Sequence, residues 1–278
     1  MKQIVIALNS LWFYFPDEKN RRELHGTPAD CERKLAQLIK EDVFYDGIEL
    51  YLEPLKLNKN LFFSQDFIAK FRKLKFRSIH IGSIEIDFLY QQERTYEKFK
   101  LLQKIFSQLD TFNLVVHAHH LKSNREEIRK LFDATLPGIN IAVENNGFDS
   151  RFGSSAEDLN DIFSFFSEEK YKFCLDICHC KDWEDKPIDS FFAKDELRKR
   201  IDEVHFSFST YLDDFPQEEC KRFDGEAPYH ALWSYINKKI SKTTMDLITR
   251  YPLVIEGCVP NDDKRLYFLK KEIDMLRR

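Results

Sequence analysis

Short apolar runs alternate along this chain with longer stretches whose apolar residues recur at helical spacing. The strand-like runs are IVIALN (4–9), GIELYL (47–52), RSIHIG (77–82), NLVVHAH (113–119), NIAVEN (140–145), KFCLDIC (172–178), DEVHFSF (202–208) and PLVIEG (252–257). Each is nearly continuous in hydrophobic residues and broken by a polar one, as expected of strands buried on both faces of a parallel sheet. Between them the spacing predicts helices at about 28–40, 64–75, 92–110, 123–133, 156–167, 188–199, 229–249 and 261–277. Pro28, Ser123 and Ser155 stand where helix starts are expected. Eight strands alternating with eight helices predict an α/β fold, a single (β/α)8 TIM barrel over residues 1–278. That length is close to the roughly 250 residues typical of the architecture. The connection at 207–228, which contains YLDDFPQEECKRFDGEA, is longer than ordinary loops. It follows the seventh strand on its C-terminal side, which predicts a lid.

Polar residues of metal-ligand type end almost every run: His80, His117, Glu144, Asp176 and His179, His205, His230, and Glu256. Charged residues and histidines are costly in a buried strand unless paired or bound to metal. Taken singly, a histidine at a strand end is more often hydrogen-bonded locally, and each carboxylate could be an ion pair with a rim lysine. Jointly they predict convergence, because strand ends meet at the C-terminal mouth of a parallel barrel, where catalytic groups come from several strands. Mixed histidine and carboxylate ligands suit Zn²⁺, Mn²⁺ or Fe²⁺. Two such ions roughly 3.5–4 Å apart would activate a water and stabilise a leaving oxygen.

Composition narrows the partners only slightly. Forty-three basic and 47 acidic residues leave a net charge of −4, which provides no global attraction to nucleic acid. Basic residues expected near the mouth are Lys122, Arg125, Arg151, Lys181, Lys221 and Arg222. Arg151, Lys122 and Lys181 are the candidates for binding substrate phosphate, against the plain reading that loops are rich in Lys and Arg. Tyr211, Phe215 and Phe223 could stack on a base or sugar, or pack the lid onto the barrel. The six cysteines have no framework spacing and are expected to be free thiols in a reducing cytosol. The start, MKQIVIALNSLWF, lacks a signal-peptide pattern and a membrane span, so a cytoplasmic location away from membranes is expected.

The ligand order carries a resemblance. Glu144, Asp176, His205 and Glu256 resemble the four-ligand site of the xylose isomerase-like TIM barrels, which include sugar isomerases, epimerases and endonuclease IV. The family's D-x-x-H signature stands as Asp176-Ile177-Cys178-His179, and the resemblance covers essentially the whole chain. His80 and His117 match the histidines of the first zinc in the endonuclease IV branch, and ENNGFDSRFGSSAEDL is similar to its E-N-x-x-G run. The resemblance implies one ion on His80, His117 and Glu144, and a second on Glu144, Asp176, His205 and Glu256. His179 and His230 would keep part of a third site. The branch's third zinc takes a D-x-H pair, but Pro228 stands two residues before His230, leaving Asp224 or Glu226 as replacements. The epimerases pair the bridging Glu with a second acid a few residues on, whereas this chain has Asp149-Ser150-Arg151.

The resulting expectation is a metal-dependent hydrolase of a phosphodiester or phosphorylated substrate, similar to endonuclease IV. It would use a metal-bridging hydroxide and two Zn²⁺ ions with a partly occupied third position. Glu144, Glu256 and His179 would be catalytic, and the substrate a small phosphorylated molecule or a nucleic acid. The alternative is a sugar or sugar-phosphate isomerase or epimerase with one Mn²⁺-type ion on Glu144, Asp176, His205 and Glu256, where His179 binds substrate oxygens. A degenerate, ligand-binding barrel is the third reading, disfavoured by the number of ligand-type residues.

Overall fold

The computed structural model describes residues 2–15, 22–57, 62–82, 92–121, 125–147, 150, 152–180, 185–209, 215–225, 227–236 and 240–278. Eight strands form a closed, all-parallel barrel: β1 (Ile4–Ala7), β2 (Gly47–Leu52), β3 (Phe76–Ile81), β4 (Asn113–His117), β5 (Asn140–Glu144), β6 (Tyr171–Asp176), β7 (Ile201–Phe206) and β8 (Leu253–Ile255). The principal helices are α1 (Pro28–Lys40), α2 (Gln65–Phe71), α3 (Gln92–Leu109), α4 (Arg125–Thr135), α5 (Ala156–Phe165), α6 (Asp185–Ala193), α7 (Asp195–Arg200), α8 (Lys242–Ile248) and α9 (Tyr267–Arg277). The expected (β/α)8 fold is the one observed. Among the described residues no helix is long and apolar enough to cross a membrane.

The helices start where side chains can satisfy their free backbone N–H groups. Thr27 Oγ1 accepts from Asp30 N at 3.3 Å ahead of α1, whose first residue is Pro28. Ser155 Oγ accepts from Asp158 N at 3.1 Å ahead of α5. Two expected helices differ. The 188–199 helix is split at Lys194, where an extended backbone separates α6 from α7. The 229–249 helix is replaced by a strand pair, a short helix (Trp233–Ile236) and α8, which Ser241 caps separately. His230–Ala231 pairs antiparallel with Phe208–Ser209, so His230 lies on a two-residue ribbon at the mouth.

Strand parity sorts the core. Ile4 and Ile6, Ile79 and Ile81, Ile141 and Val143, and Phe173 and Leu175 join the main cluster between the sheet and the helices. The alternate positions face the barrel interior, where Val5, Ala7 and Val254 form one small cluster and Val115, Ala142 and Cys174 another. His117, Glu144, Asp176 and Glu256 each lie two residues beyond one of these inward residues. They therefore point inward one layer nearer the mouth.

Candidate metal centre at the barrel mouth

Register places the ligand-type residues at one level. His117 lies opposite Glu144 and Asp176 opposite His205 in the strand ladder, while Glu256 immediately follows β8. Glu144 is the hub. Its Oε2 lies 3.2 Å from His80 Nε2 and 3.5 Å from His117 Nε2. Its Oε1 lies 3.4 Å from His179 Nδ1 and 3.8 Å from His205 Nδ1. Glu256 Oε2 closes the other side, 3.4 Å from both His205 Nδ1 and His230 Nδ1. All eight expected ligand-type residues are thus brought together.

Among the described residues, the groups whose donor atoms lie within 4.8 Å of one another, the spacing a shared ion requires, include His80, His117 and Glu144; Asp176, His179 and His230; and Glu49, His80, His205 and Glu256. Their chemistry fits a divalent cation. His80 Nε2, Glu144 Oε2, Asp176 Oδ2, His205 Nδ1 and Glu256 Oε2 are buried and make no hydrogen bond. Buried polar atoms without partners are rare and costly, and five at one focus match a set of ligands turned toward an ion. Among the described residues, the carboxylate grouped with His179 and His230 is Asp176. Asp224 accepts a hydrogen bond from Asn261 Nδ2 at 3.2 Å, and Glu226 lies outside the described residues.

Backbone geometry holds these groups. Asp176 Oδ1 accepts from the N–H groups of Cys178 (2.6 Å) and His179 (3.3 Å), folding the D-x-x-H segment into a turn. Asn145 exchanges two hydrogen bonds with the Asp176 backbone, at 2.9 and 2.8 Å, locking β5 to β6. His179 Nδ1 lies 2.7 Å from the Asn145 carbonyl, which makes it the protonated nitrogen and leaves the Nε2 lone pair available. Gly257 matters for the same reason: a Cβ there would lie 2.6 Å from Leu232 N and 2.7 Å from Ala231 C. Only glycine lets the His230 ribbon approach Glu256 this closely.

The electrostatics are divided. Burial pushes the Glu144 carboxyl well above the usual carboxylate range, and the neighbouring Asp176 and Glu256 add to this. Burial acts the same way on Glu256, but His230 and His205 outweigh it and hold this carboxyl well below that range. Burial opposes charge on His205, yet Cys174, Glu49, Glu256 and Glu144 raise it well above an ordinary imidazole. We assign that rise to the Glu49 and Glu256 carboxylates, because burial raises both the Cys174 thiol and the Glu144 carboxyl well above their ordinary ranges. Burial lowers His117 well below an ordinary imidazole, and it lowers His230 as well, against the opposing pull of Glu256.

A further carboxylate lies in the layer beneath, at a position that the strand-end pattern does not mark. Glu49, in the middle of β2, is buried, with its Oε2 3.2 Å from His205 Nε2 and accepting from Ser78 Oγ at 3.1 Å. Burial would raise this carboxyl, but His205 overrides it and brings Glu49 down to about 2. Carboxylate–histidine pairs of this kind fix the ring and raise its basicity as a metal ligand. The available signal was a charged residue in an otherwise apolar strand, two residues too early to count as a strand end. Glu49→Gln should weaken Zn²⁺ or Mn²⁺ binding roughly 10- to 100-fold with an unchanged fold, as read by calorimetry and circular dichroism. Wild-type affinity would show that Glu49 does not orient His205.

The other candidates scatter. Lys122, Arg151, Lys181 and Tyr211 lie outside the described residues. Arg125 pairs with Asp161 at 2.7 Å on the outer helices. Arg222 is committed to Asp262 at 2.8 Å and Glu219 at 3.3 Å. Phe223 is fully buried among Phe13, Phe215 and Tyr235, so it packs its segment onto the barrel instead of offering a stacking face. All six cysteines are free.

No protein-family model matches the sequence, and no curated protein matches it. Solved structures do share the fold. The probable 3-DHS dehydratase AsbF, involved in petrobactin synthesis, from Bacillus anthracis, is 15% identical with 99% of each chain covered and a TM-score of 0.65. AsfvAP:AG is 13% identical over 99% of this chain and 97% of that one, with a TM-score of 0.64. D-Psicose 3-epimerase from Clostridium cellulolyticum H10, solved with D-tagatose, is 14% identical over 99% and 98%, with a TM-score of 0.57. What these structures share with this chain is the closed (β/α)8 barrel.

Proposed function

We propose that the chain is a divalent-metal-dependent isomerase or epimerase acting on a sugar or sugar phosphate. One observation carries this reading. Glu144 and Glu256 lie 3.8 and 3.4 Å from the same His205 nitrogen, with one carboxyl pushed toward its protonated form and the other held ionised. Paired groups with opposed proton affinities are what a proton transfer through two bases needs. A cation on Glu144, Asp176, His205 and Glu256 would polarise the substrate's carbonyl and hydroxyl oxygens. Glu256 would remove the proton from the adjacent carbon, and Glu144 would return one from the other side. His179, with Nδ1 committed to Asn145, would hold a substrate oxygen through Nε2. Lys122, Arg151 and Lys181 are the basic residues that would meet a phosphate. Sugar epimerases and a probable dehydratase among the structures of this fold support the same reading.

The test is solvent exchange. Aldoses, ketoses and their phosphates incubated in D₂O with Mn²⁺ or Zn²⁺ should take up deuterium next to the carbonyl, and Glu256→Gln should abolish it. No exchange with any of them would overturn the reading. A second reading, phosphodiester hydrolysis similar to endonuclease IV, is favoured by the two further ligand groups, since an enzyme using one cation has no need of His80–His117–Glu144 or Asp176–His179–His230. Two or three ions per chain, with cleavage of a phosphodiester such as bis-p-nitrophenyl phosphate, would establish it; a single ion would favour isomerisation.

A further inference from the structure

The segment that ends β4 continues as Ala118–Leu121, a turn of 3₁₀ helix, and carries two histidines beyond the mouth cluster. Donor atoms of His117, His119 and His120 lie within 4.8 Å of one another. The rings are close: His119 lies 4.0 Å from His120 between centroids, and His117 stacks on His119 at 5.3 Å. His119 is exposed, so this trio opens to solvent at the rim.

The protonation pattern of His119 follows from its neighbour. Asn146 Nδ2 donates to the Phe152 carbonyl at 2.6 Å, which fixes the amide so that Oδ1 faces His119. Oδ1 accepts from His119 N (3.4 Å) and lies 3.1 Å from His119 Nδ1, so Nδ1 carries the hydrogen and the Nε2 lone pair is free. Orientation of one ring nitrogen by an amide or carboxylate is the usual support behind a metal-binding histidine. Gly153 holds this support in place. Its φ is +74°, and a Cβ there would lie 2.5 Å from Ala118 Cβ and 3.0 Å from Asn146 Nδ2. His117 in turn has two working nitrogens: Nε2 faces Glu144 at 3.5 Å, and Nδ1 is buried and makes no hydrogen bond.

We propose that His117, His119 and His120 form an auxiliary rim site for a borderline transition-metal ion such as Zn²⁺, Ni²⁺ or Co²⁺. Three imidazole donors without a carboxylate select these ions over Mg²⁺, which takes oxygen ligands. The rim site shares His117 with the His80–His117–Glu144 group, so an ion held at the rim competes with the inner position for that ring.

The probe is the metal alone. Chelator-treated protein would be titrated with Zn²⁺ by calorimetry and with Co²⁺ by its visible absorption, comparing wild type with His119→Ala and Asn146→Ala. His119 is exposed, and thermal unfolding without metal checks that both variants fold. One class of Zn²⁺ site should disappear in His119→Ala or weaken by about 100-fold or more. It should weaken roughly 10- to 100-fold in Asn146→Ala, the range for losing an orienting partner. Mg²⁺ should show no binding class that His119→Ala removes. If His119→Ala binds as many Zn²⁺ ions as wild type at unchanged affinity, the proposal is overturned; the same holds if the class it loses also binds Mg²⁺.

Discussion

Glu144→Gln should leave the metal-free protein about as stable as wild type while removing nearly all of the stability that a divalent cation adds. Burial favours the protonated, uncharged form of Glu144, so an amide of the same size changes little before metal binds. With metal the two proteins part. An ion present at about 1,000 times its dissociation constant stabilises a folded chain by roughly 4 kcal/mol. For a protein of this size that corresponds to a rise in Tm on the order of 10 °C. Glu144 faces His80, His117, His179 and His205 at 3.2 to 3.8 Å, so the variant loses the carboxylate at the centre of the ligand order. Turnover should fall by about 10²–10⁴-fold, the range for losing a positioned acid or base. Thermal melts with and without Zn²⁺ or Mn²⁺ decide the matter. An unchanged metal-induced shift together with full activity in Glu144→Gln would sink both enzymatic readings.

Asp30→Asn should destabilise the fold by roughly 3–5 kcal/mol. The Lys34 side chain is 2% exposed, and its ammonium meets Asp30 Oδ2 at 2.8 Å across one turn of α1. Arg33 holds the other carboxylate oxygen at 2.8 Å, and His25 Nδ1 lies 3.7 Å away. Removing one partner of a buried pair leaves an uncompensated charge, and that accounts for the predicted cost. Lowering of Tm by on the order of 10 °C would follow. The double change Asp30→Leu with Lys34→Met should recover most of the loss, because a packed apolar pair can replace a buried ion pair. The pH dependence has a definite sign. Burial would raise the Asp30 carboxyl, but His25, Lys34 and Arg33 overcome it and hold it well below the usual range. A depressed value means the stability is present above the unfolded carboxylate value of about 3.9 and is lost as pH falls toward the folded one. The difference between wild type and variant in urea unfolding should therefore be full at neutral pH and shrink below about pH 4. A gap that is small at pH 7, or one that grows on acidification, would contradict this assignment.

Legibility in the sequence was uneven, and the reasons are physical. The strand runs and Ser155 before α5 could be read because periodicity and capping are local properties of a chain. Helical spacing around His230 predicts a helix there; pairing with Ser209 across some twenty residues overrides that preference. Glu49 escaped because its importance lies in depth: it sits beneath His205, and depth in a barrel depends on register between strands. Arg222 looked like a free cation until Asp262 and Glu219 came to it from elsewhere in the chain.

By itself the sequence determined the order of the eight barrel strands, the closure that eight βα units permit, and the set of ligand-type residues at the strand ends. Parity along each strand sufficed for this, since residues two apart share a face whatever the neighbouring strands do. Which atoms meet was decided only by the tertiary structure. That Asp176 completes the group with His179 and His230, that Glu49 backs His205, and that Asn146 orients His119 all depend on contacts between separate elements. Such contacts are set by barrel register and by close backbone approaches at Gly257 and Gly153, which no local pattern encodes.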